Sequence, residues 1–181
     1  MIFLIAGMVI WWGAHLCKRL APGLHAQLGD KSRGIIAVLV VLSVGLMIYG
    51  YRVSEFIPVW SPPAFLTHLN NLLMVLAFYL YASSGAKTRI TRVIRHPQLT
   101  AVKTWAVAHL LVNGDVASII LFGGLLAWAV VSVIVINRAE PVWTKPPIAP
   151  ARKEVTALVA TLVVVGLVMA IHNWLGVQPW S

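Results

Sequence analysis

"VASIILFGGLLAWAVVSVIVI", Val116–Ile136, runs for twenty-one residues without a charged side chain. As a helix rising 1.5 Å per residue it covers about 30 Å, the thickness of a bilayer's hydrocarbon layer. Such a run predicts a helix that crosses lipid, with Asp115 as its N-cap. Four more runs qualify on the same grounds: about Ile2–Leu16, Gly34–Val53, Ala64–Ser83 and Val155–Gly176. The first is short but can borrow Cys17 and the aliphatic stem of Lys18. A sixth, about Leu99–Asn113, carries Lys103, His109 and Asn113. Its neighbours argue for it: Asn113-Gly114-Asp115 reads as a tight turn, with Gly as C-cap and Asp as the next N-cap. A re-entrant segment is the alternative.

Composition agrees. Of 181 residues 60% are hydrophobic and 10% charged, where a soluble domain carries about 25% charged. In lipid every backbone polar group needs an internal partner, so the fold class expected is all-α: a polytopic transmembrane bundle of about six helices, a single membrane domain over 1–181. The net charge of +9 does not point to nucleic acid, because the basic residues sit between the apolar runs. Lys18, Arg19, Lys31 and Arg33 occupy one loop, Lys87, Arg89, Arg92 and Arg95 another, and Arg138, Lys145, Arg152 and Lys153 a third. The alternate loops hold almost none, Arg52 excepted, so the positive-inside rule places these three loops in the cytoplasm and both termini on the outer side. At the N-terminus the charges follow the apolar run, the reverse of a secretory signal. The single cysteine, Cys17, excludes an internal disulfide framework.

Ionisable and polar side chains inside lipid are the functional candidates. These are His15 in the first run, His68 with Asn70 and Asn71 opening the third, His109 in the fourth, and His172 with Asn173 near the end of the last. Trp11 and His15 share a helix face, and Trp105, His109 and Asn113 form a stripe spaced by four. Imidazoles from facing helices are how a bundle holds a metal or a haem. No CxxCH occurs, which excludes a covalently attached haem. Against this stands the plain reading of each histidine as an interhelical hydrogen-bond partner. His68 and His172 lie close to helix ends, His25 lies in a basic loop, and Gly123-Gly124 suits close helix packing. No serine triad, P-loop or dinucleotide fingerprint is present.

Arg95-His96-Pro97, His109 within "WAVAHLLVNGD", "FGGLLAW", "THLNNLLMVLAF" at Thr67–Phe78, "GAHL" at Gly13–Leu16 and "HNWLGVQPW" at His172–Trp180 together resemble the NnrU family, in order and over nearly the whole chain. The resemblance implies a protein of the bacterial inner (cytoplasmic) membrane, associated with nitrite and nitric oxide respiration. It also implies kinship to plant zeta-carotene isomerase, a membrane haem b enzyme acting on a lipophilic polyene. Carried over, the haem b ligands are His109 and His15, the metal-binding pair, with Trp11, Trp105 and Asn113 around them. The isomerase has a cysteine three residues before one ligand; that position is Ala106 here, so its ligand-exchange chemistry does not transfer. His15 lies toward the cytoplasmic end of its run and His109 toward the outer end, an offset on the order of 10 Å. His68, approaching from the outer side, is the alternative second ligand.

Two other function classes compete. Arg95-His96-Pro97 also resembles membrane methyltransferases of the isoprenylcysteine type, which bind S-adenosylmethionine; Gln98-Leu99 departs from their pattern, and Glu140-Pro141 matches their acidic motif in part. The other class is a non-catalytic accessory or assembly factor of a respiratory complex, its histidines serving as interhelical contacts. The partners expected are membrane lipids, a lipophilic substrate or respiratory-chain proteins.

Overall fold

The computed structural model describes residues 1–179. The match of "HNWLGVQPW" at Trp180, and the last residue, lie outside that range. Without water to satisfy backbone groups, the chain closes its hydrogen bonds within helices. These are α1 (Ile2–Leu20), the short α2 (Pro22–Gln27), α3 (Ser32–Arg52), α4 (Leu66–Ala86), α5 (Pro97–Val112), α6 (Val116–Ala139) and α7 (Ala151–Trp174). Among the described residues no strand forms; Pro58 and Asp115 make one isolated bridge. The fold is all-α, and five helices are long and apolar enough to cross a membrane. The weak sixth run is a continuous helix too, but α5 has 16 residues and is shorter than those five. The helices overrun the apolar runs because a helix continues through the membrane surface. Lys18 and Arg19 close α1, where its dipole favours cations, and Glu154 sits in the first turn of α7, where an anion is favoured.

The chain sorts into two compact units, residues 1–61 with 114–128, and 62–113 with 129–181; α6 contributes to both. In the first unit α1 packs along α3 through residues too small to hold the backbones apart. A Cβ on Gly50 would lie 2.2 Å from the backbone nitrogen of Leu4, and one on Gly7 would lie 2.8 Å from the carbonyl oxygen of Ser43. Ser43 and Leu4 are fully buried at this crossing. Gly124 admits Met8, whose methyl carbon would stand 2.8 Å from an added Cβ. The expected close packing at Gly123-Gly124 therefore belongs to Gly124, since Gly123 would meet only Ile119, at 4.0 Å.

The turn before α6 differs from its sequence reading in one respect. Asp115 is the N-cap, its Oδ1 accepting from the Ser118 amide at 3.0 Å. Gly114 is not a left-handed C-cap, for the positive-φ glycines are Gly29 and Gly176. It is glycine because the 57–60 segment presses on it: its carbonyl accepts from the amides of Val59 at 2.7 Å and Trp60 at 3.1 Å. An added Cβ would lie 2.0 Å from the Trp60 carbonyl oxygen.

In the second unit α4 packs against both α5 and α7. Arginines three apart tie the segment after α4 to the proline-rich 140–150 segment. Arg89 Nε donates to the Ala149 carbonyl at 3.3 Å, Arg92 to that of Pro146 and Arg95 to that of Glu140. The Arg89 amide donates to Glu154 Oε1 at 2.7 Å, fixing the start of α7 beside the end of α4. Large apolar side chains such as Val38, Val41, Leu162 and Val163 remain exposed along α3 and α7. On a membrane helix these are the surface that lipid covers.

Candidate functional site: histidines of the membrane helices

In the first unit the 3.6-residue period of α1 stacks His15 on Trp11, ring centroids 4.0 Å apart. His15 Nδ1 lies 2.9 Å from the Trp11 carbonyl oxygen. A carbonyl only accepts, so Nδ1 carries the proton and Nε2 the lone pair, the tautomer in which an imidazole can bind a metal through Nε2. Trp128 of α6 closes the wall, with its ring edge-on to His15 at 5.0 Å and to Trp11 at 5.2 Å. The indole N–H groups of Trp11 and Trp128 are both buried without an acceptor, which costs about 1–3 kcal/mol each unless a ligand or water supplies one. Trp12, the other indole at this level, donates to the Gly124 carbonyl at 3.2 Å.

The same unit holds a polar chain that sequence reading reduced to a helix cap. Asp115 is buried, and its Oδ2 accepts from Ser118 Oγ. Ser118 Oγ stands 2.9 Å from the Tyr51 hydroxyl. Since Ser118 gives its proton to the carboxylate, the phenol donates to Ser118. The chain lies beside a π-helical turn, Ile119–Gly123, a departure from α geometry frequent at functional sites. Nothing in the spacing of Tyr51 and Asp115 could have signalled this, since sixty-four positions separate them.

In the second unit Trp105 and His109 meet edge to face at 5.1 Å on α5, as their spacing predicts. Asn113 does not use its amide N–H on a ring: its Nδ2 donates to the His109 backbone carbonyl at 2.8 Å, ending the helix. Ala106, where the isomerase has cysteine, is fully buried. His68 lies exposed in the first turn of α4. Asn70, two residues on, is buried, and its Oδ1 has no partner. His172 of α7 repeats the arrangement of His15: its Nδ1 donates to the Val168 carbonyl at 2.8 Å, leaving the lone pair on Nε2.

Arg95, His96 and Glu140 also gather, at the other end of this unit. Arg95 donates to the Glu140 carbonyl, and His96 Nε2 lies 2.9 Å from Asn137 Oδ1. Asn137, one turn before Glu140 on α6, went unremarked in the sequence. Among the described residues no group of three or more His, Cys, Asp or Glu side chains could hold a metal ion. A haem asks less of the protein, one or two imidazoles with a lone pair available, and His15 and His172 each fit that requirement.

The fold and the half-buried histidines of its helices together define an all-α integral membrane protein whose candidate chemistry is imidazole-based. A family model described as NnrU protein matches residues 3–179, and the chain belongs to the NnrU family. No curated protein and no solved structure matches it.

Proposed function

We propose that this NnrU-family protein binds haem b through His109 and His15, in the bacterial inner membrane with both termini outside. Its chemistry would be redox or isomerase-type, linked to nitrite and nitric oxide respiration or to a lipophilic polyene. The observation that carries the reading is the His15 tautomer, with Nδ1–H spent on the Trp11 carbonyl and the Nε2 lone pair kept between aromatic walls. Trp105 meets His109 edge to face within its own unit. A haem so held would supply one-electron redox chemistry. The test is the optical spectrum of protein purified in detergent after expression with ample haem. A Soret band is expected, abolished in His109→Ala and shifted or lost in His15→Ala. Colourless wild-type protein rejects the reading. Two variants that both keep function in complementation favour the accessory-factor role.

A second reading is favoured by the meeting of Arg95, His96, Asn137 and Glu140. These groups suit the charged and amide edges of S-adenosylmethionine, at the face the loop charges assign to the cytoplasm. Titration calorimetry decides it. Heat of binding that disappears in His96→Ala supports the methyltransferase relative, and no heat disposes of it.

A further inference from the structure

One stretch of α3 carries more than lipid-facing apolar surface. A groove of about 520 Å³ runs along its first turns, lined by Asp30, Lys31, Gly34, Ile35, Val38 and Leu39. From Lys31 onward these residues are spaced by three and four, so they share one helix face. That face is not the one packed on α1, which carries Ser43, Met47 and Gly50. Gly34 leaves the floor of the groove open, for a Cβ added there would meet nothing within 4 Å.

The two ends of the groove differ in chemistry. Asp30 and Lys31, in the tight turn Gly29–Lys31, are exposed at one end. Neither forms an ion pair with the other or with any described residue. Beyond them the lining is apolar, and the eight residues from Lys31 to Leu39 cover about 12 Å along the helix axis. One leaflet of hydrocarbon is about 15 Å deep. A charged end joined to an apolar run of nearly a leaflet's depth matches a single phospholipid, its head at the turn and an acyl chain along α3. Lys31 complements the phosphate that every phospholipid carries, so it does not discriminate among heads. Asp30 does: its carboxylate disfavours a head of net negative charge and accepts from a primary ammonium. Lys18, Arg19 and Arg33, which would draw anionic lipid, do not line the groove, and salt screens exposed charges beyond about 8 Å.

We propose that this groove binds a phospholipid bearing both a phosphate diester and a primary ammonium, phosphatidylethanolamine. The phosphate meets the Lys31 ammonium, the lipid's own ammonium meets the Asp30 carboxylate, and one acyl chain lies over Gly34, Ile35, Val38 and Leu39. The site lies within the first unit and goes beyond the haem reading, on which it does not depend.

The experiment uses the full chain in nanodiscs of phosphatidylcholine. Photo-crosslinking phosphatidylethanolamine and phosphatidylglycerol, with the same diazirine-bearing acyl chain, are added in separate samples at equal trace amounts, and labelled peptides are read by mass spectrometry. The ethanolamine probe is expected to label residues 34–39 about five times more than the glycerol probe, the worth of one charge at a membrane surface. Both should label Leu162 and Val163 of α7, exposed and apolar, equally. Asp30→Asn is expected to abolish the preference at 34–39. Lys31→Gln is expected to lower labelling by both probes there about five-fold. Gly34→Leu, which fills the floor, is expected to lower labelling of 35–39 by both. All three positions are exposed, so the variants are expected to fold as wild type. Equal labelling by the two probes, stronger labelling by phosphatidylglycerol, or a preference that survives Asp30→Asn overturns the choice of lipid. Labelling of 34–39 no stronger than that of Leu162 and Val163 overturns the site itself.

Discussion

The two units hold their histidines against different backgrounds. Around His15 the walls are indole rings, and the helices nearby meet through glycine: Gly50 on Leu4, Gly7 on Ser43. In the second unit arginines tie segments together through carbonyls at one end, while Asn113 and His172 hydrogen-bond to carbonyls of their own helices. What the units share is the tie from Nδ1 to the carbonyl four residues back, seen in both His15 and His172. A membrane helix interior offers an imidazole few polar partners, and its own backbone is the nearest one. The comparison teaches that tautomer is set locally in both units, while the environment of the lone pair is set by tertiary packing.

The largest effect expected is at the glycine crossing. Gly50→Leu drives a side chain into the α1 backbone, where no flexible neighbour can give way. Overpacking costs typically 1–3 kcal/mol and more where backbone is struck, so we expect loss of monodisperse protein in size-exclusion chromatography. Gly45→Leu is the control, for nothing lies within 4 Å of its added Cβ, and it should elute as wild type. Similar behaviour of the two would break the account of the first unit.

Next comes Asp115→Asn. The amide cannot receive both the Ser118 amide and hydroxyl protons as the carboxylate does, leaving a buried donor mismatched. A loss of about 1–3 kcal/mol should appear as a lowered detergent-phase Tm, with Tyr51→Phe costing less because Ser118 keeps the carboxylate.

Trp128→Phe has a signed expectation on each side of the comparison. It removes an unpartnered N–H while keeping most of the ring contact, so ligand-free protein should be as stable or slightly more so. If that N–H serves a ligand at His15, haem affinity should fall at the same time. A variant that loses stability and keeps affinity would make the indole a packing element only.

The smallest effect belongs to the arginine ladder. Arg92→Gln removes one of the three ties to the 140–150 segment, with a cost of about 0.5–1.5 kcal/mol. It should speed proteolytic cutting of that segment without changing the spectrum of the whole protein.

Much of the fold was legible because lipid allows one solution to an apolar run. Val116–Ile136 had to be a helix, and α6 is one. Less of the site was. The pairs Trp11–His15 and Trp105–His109 followed from a spacing of four, and both rings meet. The same spacing counted Asn113 with the ring face, whereas its amide turns back to the helix end. The sequence marks His172 only as close to a helix end; that its Nδ1 is tied to the Val168 carbonyl is seen in the structure.

What the chain's residues determined unaided was the number of long apolar segments, their helical state, which short-range pairs share a face, and membership of the NnrU family. Those follow from periods of 3.6 residues and from the cost of an unpaired peptide group in hydrocarbon. Tertiary structure alone decided that Gly114 yields to Trp60, that Asp115 serves Ser118 and through it Tyr51, and that Trp128 closes on Trp11 and His15. Each depends on the register between helices distant in sequence. Register is set by which side chains interlock, a property of pairs of surfaces that no single periodicity contains.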